Sequence, residues 1–382
     1  MMNDRICELE SCTGCSACAS GCPKQCISMK ADDEGFLRPS VDSSLCIDCG
    51  KCKRICPANN FIPDDGRKPQ AFATKNKNEE VRAQSSSGGM FSVFAKNILG
   101  FNGVVIAAGF DESYQVVHKV CGDIEGLDEL RKSKYVQSRI EGTYQEAKNL
   151  LEEGKKVLFC GTPCQVAGIK SFLGKEYEKL YLIDFVCHGV PSPLAWERYK
   201  QYREEQAGSS VQDVAFRSKD TGWQVYSLKI KFDNGVTYSS NVTEDHYLRS
   251  FIMDMDLRPS CYNCNFKQVH RVSDITLADF WSKELLKAEW NDDTGVSLVL
   301  VHSEKGMNMM EYVKEDIESV QVCFDETIKY NPSMVSSCHK PALRQRFMKD
   351  LHTLPFNVLH EKYCGNSITS KVRRKLAAVL KK

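Results

Sequence analysis

Beyond residue 70 the chain breaks into short apolar runs separated by polar, turn-forming stretches. "QAFATKN" (70–76) and "GVVIAAGF" (103–110) read as strands, and "MFSVFAKNIL" (90–99) reads as a helix between them. "GTYQEAKNLLEEGKK" (142–156) spaces its apolar residues at helical intervals and runs into the buried strand "VLFC" (157–160). "KLYLIDFVC" (179–187) is a further apolar strand. "DVAFRSK" (213–219) and "QVYSLKIKFDNGVTYSS" (224–240) alternate apolar with polar residues, and the Asn234-Gly235 pair predicts a hairpin. From about residue 306 the stretch "KGMNMMEYVKEDIESV" (305–320) reads as a helix. The end, "ITSKVRRKLAAVLKK" (368–382), carries six basic and no acidic residues, with Ile368, Val372, Leu376 and Val379 on one helical face. A solvated terminal helix packing one side on the body is expected, the alternative being contact with a membrane surface or an acidic partner.

This order of elements predicts an α/β body. "ANNFIPDDGRKPQ" (58–70), polar with two prolines and a glycine, separates it from a small front module. The expected division is 1–60 front module, 61–70 linker, 71–155 and 156–345 the two parts of the body, and 346–382 a basic helical tail.

At 382 residues the chain is long enough for two or three domains. A charged fraction of 26% balanced to a net charge of +1 argues against nucleic acid as a partner. The N-terminal "MMNDRICELESCTG" has no signal-peptide pattern, and "GVVIAAGF" and "VSLVLV" are too short to span a bilayer, so the expected location is the cytoplasm. Nineteen cysteines, ten of them at or before Cys56, then mean metal or catalysis rather than disulfides.

Residues 12–23, "CTGCSACASGCP", and 46–57, "CIDCGKCKRICP", share the pattern C-x2-C-x2-C-x3-C-P, the bacterial ferredoxin run for two 4Fe-4S clusters. Three thiolates two residues apart let a short loop wrap three irons, and the fourth crosses to the other cluster. The expected ligand sets are Cys12, Cys15, Cys18 with Cys56, and Cys46, Cys49, Cys52 with Cys22. A zinc ribbon is the alternative. Cys7 and Cys26 fall outside the register and read as small buried residues.

Further cysteines end strand-like runs: Cys160 and Cys164 in "VLFCGTPCQVAGIK", and Cys187 in "LIDFVCHGVPSP". Loops at strand carboxyl ends are where α/β proteins place cofactors. With Cys261 and Cys264 of "SCYNC" they offer several thiolates to one site. "SSSGGMFS", "KSKYVQS", "VLFCGTPCQ", "DFVCHGVPSP", "FRSKDTGW" and "RPSCYNCNFKQVHRVSDITLADFW" resemble the coenzyme F-420 hydrogenase/dehydrogenase beta-subunit family. The resemblance covers about residues 70–345, and the front ferredoxin module is a common fusion there.

The resemblance implies an α/β (α+β) flavoprotein body behind a ferredoxin-like α+β domain. It implies FAD and a third 4Fe-4S cluster on Cys164, Cys187, Cys261 and Cys264, with zinc as the rival because His188 and His270 stand nearby. Cys121, Cys160, Cys323, Cys338 and Cys364 read as structural or free. For FAD the expected contacts are Ser86, Ser87, Gly88 and Gly89 before a helix, Lys134, Tyr135 and Gln137, and the Gly161-Thr162-Pro163 turn, with Lys132 as a further charge. Arg271, Asp274 and Asp279 are either supports for the cluster loop or plain salt bridges, and His188 reads as a hydrogen-bonded structural residue. No G-x-G-x-x-G and no P-loop is present.

The implied function is an iron–sulfur flavoprotein oxidoreductase. Its electrons pass between a ferredoxin or other redox protein, the clusters and FAD, with hydride exchange to a small molecule, F-420 or another organic substrate. Relatives in the family act on other substrates, so membership fixes the apparatus better than the substrate. The alternative is a non-catalytic subunit relaying electrons to a partner enzyme.

Overall fold

The structure is a computed structural model that describes residues 6–140 and 142–379. Strands β1 (Ile27–Ala31) and β2 (Leu37–Val41) form the antiparallel ribbon of the front module. The body contains β3 (Gln70–Asn76), β4 (Val104–Phe110), β5 (Val116–Cys121), β6 (Val157–Cys160) and β7 (Leu180–Phe185). These are followed by β8 (Val211–Ser218), β9 (Ser227–Phe232), β10 (Thr237–Asn241), β11 (Ile275–Asp279), β12 (Ser297–Val301) and β13 (Ile317–Val322). The main sheet is mixed, in the order β13-β3-β12-β11-β7-β6-β4-β5, with β4, β6, β7 and β11 parallel. A separate antiparallel sheet, β10-β9-β8, turns through Asp233–Val236, where Gly235 takes φ 84 at the expected Asn-Gly turn.

Each parallel strand is a short aliphatic run buried on both faces by helices. Met90–Gly100 and Glu304–Tyr312 cover one side, where Phe94, Ile98, Met309 and Met310 meet Val105, Leu158 and Val299. Thr143–Glu152 and Pro163–Leu173 cover the other, and there Cys15 and Ala17 of the front module join the same core. A third core fills the space between the small sheet, Pro193–Ala207 and His246–Ile252.

Two expected boundaries move. The helix read over 305–320 stops at Tyr312, and Ile317–Val322 pairs with β3 as an edge strand. Only Ile317 of this edge strand is buried and residues 318–321 face solvent, so no alternation marks it in the sequence against the helical run before it. The tail expected from residue 346 is mostly body: Arg344–Asp350 and Phe356–Tyr363 bury Phe347, Met348, Leu351, Phe356, Leu359 and Tyr363 in the third core. Only Ile368–Val379 lies outside. It rests on the body through Ser370, which donates to the Glu361 carbonyl at 2.5 Å, and Arg374, which donates to the carbonyls of Tyr363 and Gly365. Ile368, Val372 and Leu376 point to solvent, so the apolar face is not the one that packs. The side chain of Val379 and residues 380–382 lie outside the described residues.

The front module is clamped to the body, not merely tethered. Arg344 makes two charge-assisted bonds to Glu34, at 2.6 and 2.5 Å, and Ser192 donates to the Glu34 carbonyl. The linker is pinned as well: Asp64 accepts from Val269 N at 2.7 Å, and Phe61 meets Phe266 edge to face.

Candidate metal and cofactor site

Each front cysteine run is a loop closed by one helical turn, Ala17–Ser20 or Lys51–Arg54. Ser16 (φ 63) and Gly50 (φ 70) take left-handed conformations just before those turns, which curls each loop around its thiols. Cys12, Cys15, Cys18 and Cys56 are buried together. Burial pushes the Cys15 thiol up to about 12, with the charges of Cys56, Cys164 and Cys12 adding to it. Cys22, Cys46, Cys49 and Cys52 line a separate cavity of about 350 Å³, with Cys49 exposed. The chain therefore brings the fourth cysteine of each run to the other run's three. Cys7, read as a plain buried residue, lies against Cys12 and Cys56, and the Cys26 sulfur is 3.4 Å from that of Cys22.

In the body, β6 and β7 end side by side, so the loops after them converge. Cys164 sits in the first turn of Pro163–Leu173, capped by Thr162, and Cys187 lies two residues beyond β7. Cys261 and Cys264 come from the 3-10 turn Pro259–Asn263 and the residue after it. All four line one cavity, together with Thr13 of the front module, Pro163, Arg258 and Lys267. Burial pushes Cys164 and Cys261 up to about 12 and raises Cys187 and Cys264 as well. The four side chains are half-buried, and thiols crowded together in such a place ionise only where a cationic centre stabilises the thiolates. Polar groups already meet two of the sulfurs: Val190 N–H donates to Cys261 at 3.5 Å, and the Thr162 hydroxyl and the Cys164 thiol share a hydrogen bond at 3.1 Å.

Spacing separates a cluster from zinc. A tetrahedral zinc with Zn–S bonds of about 2.3 Å holds its sulfurs about 3.8 Å apart. Among the described residues no three cysteine sulfurs lie within 4.8 Å of one another. The donor sets, all thiol and spaced wider than one ion spans, fit polynuclear iron–sulfur groups in all three places.

Arg258 and Gly168 connect the sites. Arg258, with no exposed surface, donates to the Cys12 carbonyl at 2.8 Å, the Leu37 carbonyl at 2.9 Å and Gln137 Oε1 at 2.8 Å. Its Nη2 lies 3.6 Å from the Cys12 sulfur while the same side chain lines the body cavity. At Gly168 a Cβ would stand 2.6 Å from Tyr144 Oη and 3.1 Å from Cys15 Cβ, so the helix bearing Cys164 presses directly on the front loop.

The expected flavin contacts divide into three groups. The serine loop is tied internally: Ser86 accepts from Ser133 N at 2.8 Å, Ser87 donates to the Val296 carbonyl at 3.0 Å, and Gly88 N–H donates to Ser297 Oγ at 3.0 Å. Gly89 (φ 86) starts the helix Met90–Gly100. Lys134 Nζ donates to three carbonyls, those of Ala108, Glu129 and Arg131, and burial lowers its pKa to about 7. Lys132 is exposed. Gln137 faces the front module, donating to the Thr13 carbonyl at 2.9 Å. The Gly161-Thr162-Pro163 turn borders the cysteine cavity.

Tyr135 opens onto a group that the sequence reading did not single out. Its ring stacks on Phe251 at 4.7 Å, and its phenol neighbours Arg217 and Tyr226. Arg217 is 6% exposed, bonds Asp279 at 2.5 Å and lies 4.5 Å from the Tyr226 ring centre, yet its Nε and Nη2 have no hydrogen-bond partner. Two unmet donors on a buried guanidinium suit an acceptor-rich planar ring or an anion. Lys219 carries the link to the serine loop, donating to the carbonyls of Arg82 and Ser87 at 2.7 and 2.9 Å. Both cations lie in "FRSKDTGW", and that pair was the available signal. Of the other flagged residues, Asp274 accepts from Leu182 N and Ser303, Arg271 approaches buried Asp184 at 3.4 Å, and His188 bonds Asp254 at 2.6 Å.

Residues 154–322 match the family model for the C terminus of the coenzyme F-420 hydrogenase/dehydrogenase beta subunit, and residues 11–60 match the 4Fe-4S dicluster domain. A coenzyme F-420-dependent sulfite reductase of Methanocaldococcus jannaschii is 25% identical over 187 residues, 48% of this chain. The match spans 28% of that relative's length. Ferredoxin 7Fe of Hydrogenibacillus schlegelii is 31% identical over 75 residues, 18% of this chain and 86% of the ferredoxin. A ferredoxin of Alicyclobacillus acidocaldarius is 35% identical over 66 residues, 16% of this chain and 74% of its own length. Among solved structures, a chain of the F-420-reducing [NiFe] hydrogenase complex from Methanosarcina barkeri aligns with a TM-score of 0.48 at 16% identity, covering 76% of this chain and 95% of that one. No helix among the described residues is long and apolar enough to cross a membrane.

Proposed function

We propose, from the premise that the chain belongs to the coenzyme F-420 hydrogenase/dehydrogenase beta-subunit family and carries a dicluster ferredoxin domain at its front, that it is an iron–sulfur flavoprotein oxidoreductase. In this reading Cys12, Cys15, Cys18 and Cys56 hold one cluster, Cys22, Cys46, Cys49 and Cys52 a second, and Cys164, Cys187, Cys261 and Cys264 a third. Clusters exchange single electrons and FAD exchanges one or two, which is the chemistry that joins a one-electron protein partner to a hydride-exchanging small molecule. The observation that carries the reading is the contact of the front loop with the body cavity, through Arg258 and through Cys15 on Gly168.

The chain's own residues do the rest. Cys49 brings the second thiol set to the surface, where a redox protein docks. Arg258 offsets thiolate charge at the first and third sets together and excludes water between them. Arg217, held by Asp279, would offer Nε and Nη2 to the acceptor atoms of a flavin, with Tyr135 alongside. The small-molecule substrate is F-420 or another organic acceptor.

Flavin content tests this reading. Wild-type protein reconstituted anaerobically is expected to retain about one FAD per chain, and Arg217→Leu to weaken retention about tenfold or more at unchanged iron. Iron-replete wild-type protein with no flavin affinity contradicts it. That result selects the second reading, a non-catalytic electron relay, which the internal bonding of Ser86, Ser87 and Lys134 favours.

A further inference from the structure

One place in the chain has the opposite spacing from the cysteine sets. His188 Nε2, Asp254 Oδ1 and Cys338 Sγ lie within 4.8 Å of one another, and they are the only such group of three or more among the described residues. We propose that these three residues form a mononuclear zinc site beside the cysteine cavity, with donors of its own and independent of the redox reading above.

The donors come from three segments that meet only in the fold. His188 lies in the loop after β7, Asp254 in the turn after His246–Ile252, and Cys338 in the stretch before Arg344–Asp350. Asp254 is held in a left-handed conformation (φ 58), and its carbonyl accepts from Tyr262 Oη at 2.5 Å. All three side chains are half-buried, which leaves one side open for a water as fourth ligand. The donors are already drawn together: His188 bonds Asp254 at 2.6 Å, and the Cys338 thiol donates to the His188 carbonyl at 2.6 Å.

Zinc bonds of about 2.0–2.3 Å need donors about 3–4 Å apart, a range this group reaches by small rotations. Imidazole, carboxylate and thiolate together select zinc over magnesium or calcium, which take oxygen alone. On binding, the Cys338 S–H bond breaks, its proton leaves to solvent, and sulfur bonds the metal. The proton between His188 Nε2 and Asp254 moves through solvent to Nδ1, so the ring binds zinc through Nε2 as its Nδ1–H tautomer and Asp254 binds as the carboxylate. Carboxylate and thiolate then balance the two positive charges. The Lys267 ammonium opposes a cation here, but it is bonded to the His188 carbonyl at 3.1 Å.

The test uses full-length, anaerobically reconstituted holoprotein at full iron loading, dialysed against zinc and washed. Elemental analysis is expected to find about one zinc per chain, and zinc-edge X-ray absorption a shell with one sulfur among nitrogen and oxygen ligands. Cys338→Ala and Asp254→Asn are each expected to weaken zinc binding about tenfold or more with iron unchanged. If Cys338→Ala fails to load iron, Cys338→Ser replaces it under the same criterion. Zinc absent from iron-replete protein, a sulfur-only shell, or retention unchanged in these variants overturns the proposal.

Discussion

Arg258→Ala is expected to lower folding stability by about 3–5 kcal/mol. The guanidinium is fully buried and donates to the Cys12 carbonyl, the Leu37 carbonyl and Gln137 Oε1. Truncation removes the donor to buried Gln137 Oε1 and to the Leu37 carbonyl, and leaves the Cys12 carbonyl to Arg38 alone, at 3.2 Å. It also opens a void where the guanidinium sat. Each lost buried bond costs about 1–3 kcal/mol, with losses shared among neighbours in one network. Arg258→Lys does not rescue it, because one ammonium cannot span a fork reaching two strand-loop carbonyls and a side-chain amide. Anaerobic thermal melts at fixed scan rate measure the shift. Removing this positive charge also favours the oxidised clusters, so the midpoint potentials of the first and third are expected to fall. Melts unchanged to within about 1 kcal/mol would show that the two modules do not depend on this bridge.

Gly168→Ala is expected to destabilise by about 1–3 kcal/mol, although alanine is the better helix former. The added Cβ would stand 2.6 Å from Tyr144 Oη and 3.3 Å from the Cys15 sulfur. Tyr144 cannot swing away, being fully buried and bonded to the Gln165 carbonyl at 2.7 Å. The front loop must therefore shift, changing the electron paramagnetic resonance signal of the first cluster. Gly100→Ala is the control: a Cβ there meets nothing within 4 Å, so its melt should hold or rise slightly. Equal behaviour of the two variants would mean that Cys15 does not press on the Cys164 helix.

These two residues also mark how far the sequence could be read. The doubled C-x2-C-x2-C-x3-C-P register is local, and so are the apolar runs read as strands that became β3, β4, β6 and β7. Of the cysteines that meet from three separate loops, Cys164 and Cys187 were legible because they follow strand-like runs, whereas Cys261 and Cys264 follow none and were assigned to the same set through the family resemblance. Arg258 was not legible, since its partners lie 246 and 221 positions away in the chain and exist only once the modules dock. Ser86 and Lys134 look available in the sequence, but the fold spends their hydrogen-bonding capacity on Ser133 and three carbonyls. Arg217 became a candidate only because folding left two of its nitrogens without partners. The terminal helix was legible from its periodicity, but which side packs was not: Ser370 and Arg374 dock by hydrogen bonds and Ile368, Val372 and Leu376 stay exposed.

The central claim is that the body holds a third cluster on Cys164, Cys187, Cys261 and Cys264. Iron and acid-labile sulfide per chain in anaerobically reconstituted protein test it most directly, with Cys261→Ser measured alongside. About twelve irons are expected for the wild type and about eight for the variant. About eight in both would contradict the claim, leaving the cysteine cavity of the body without a cluster.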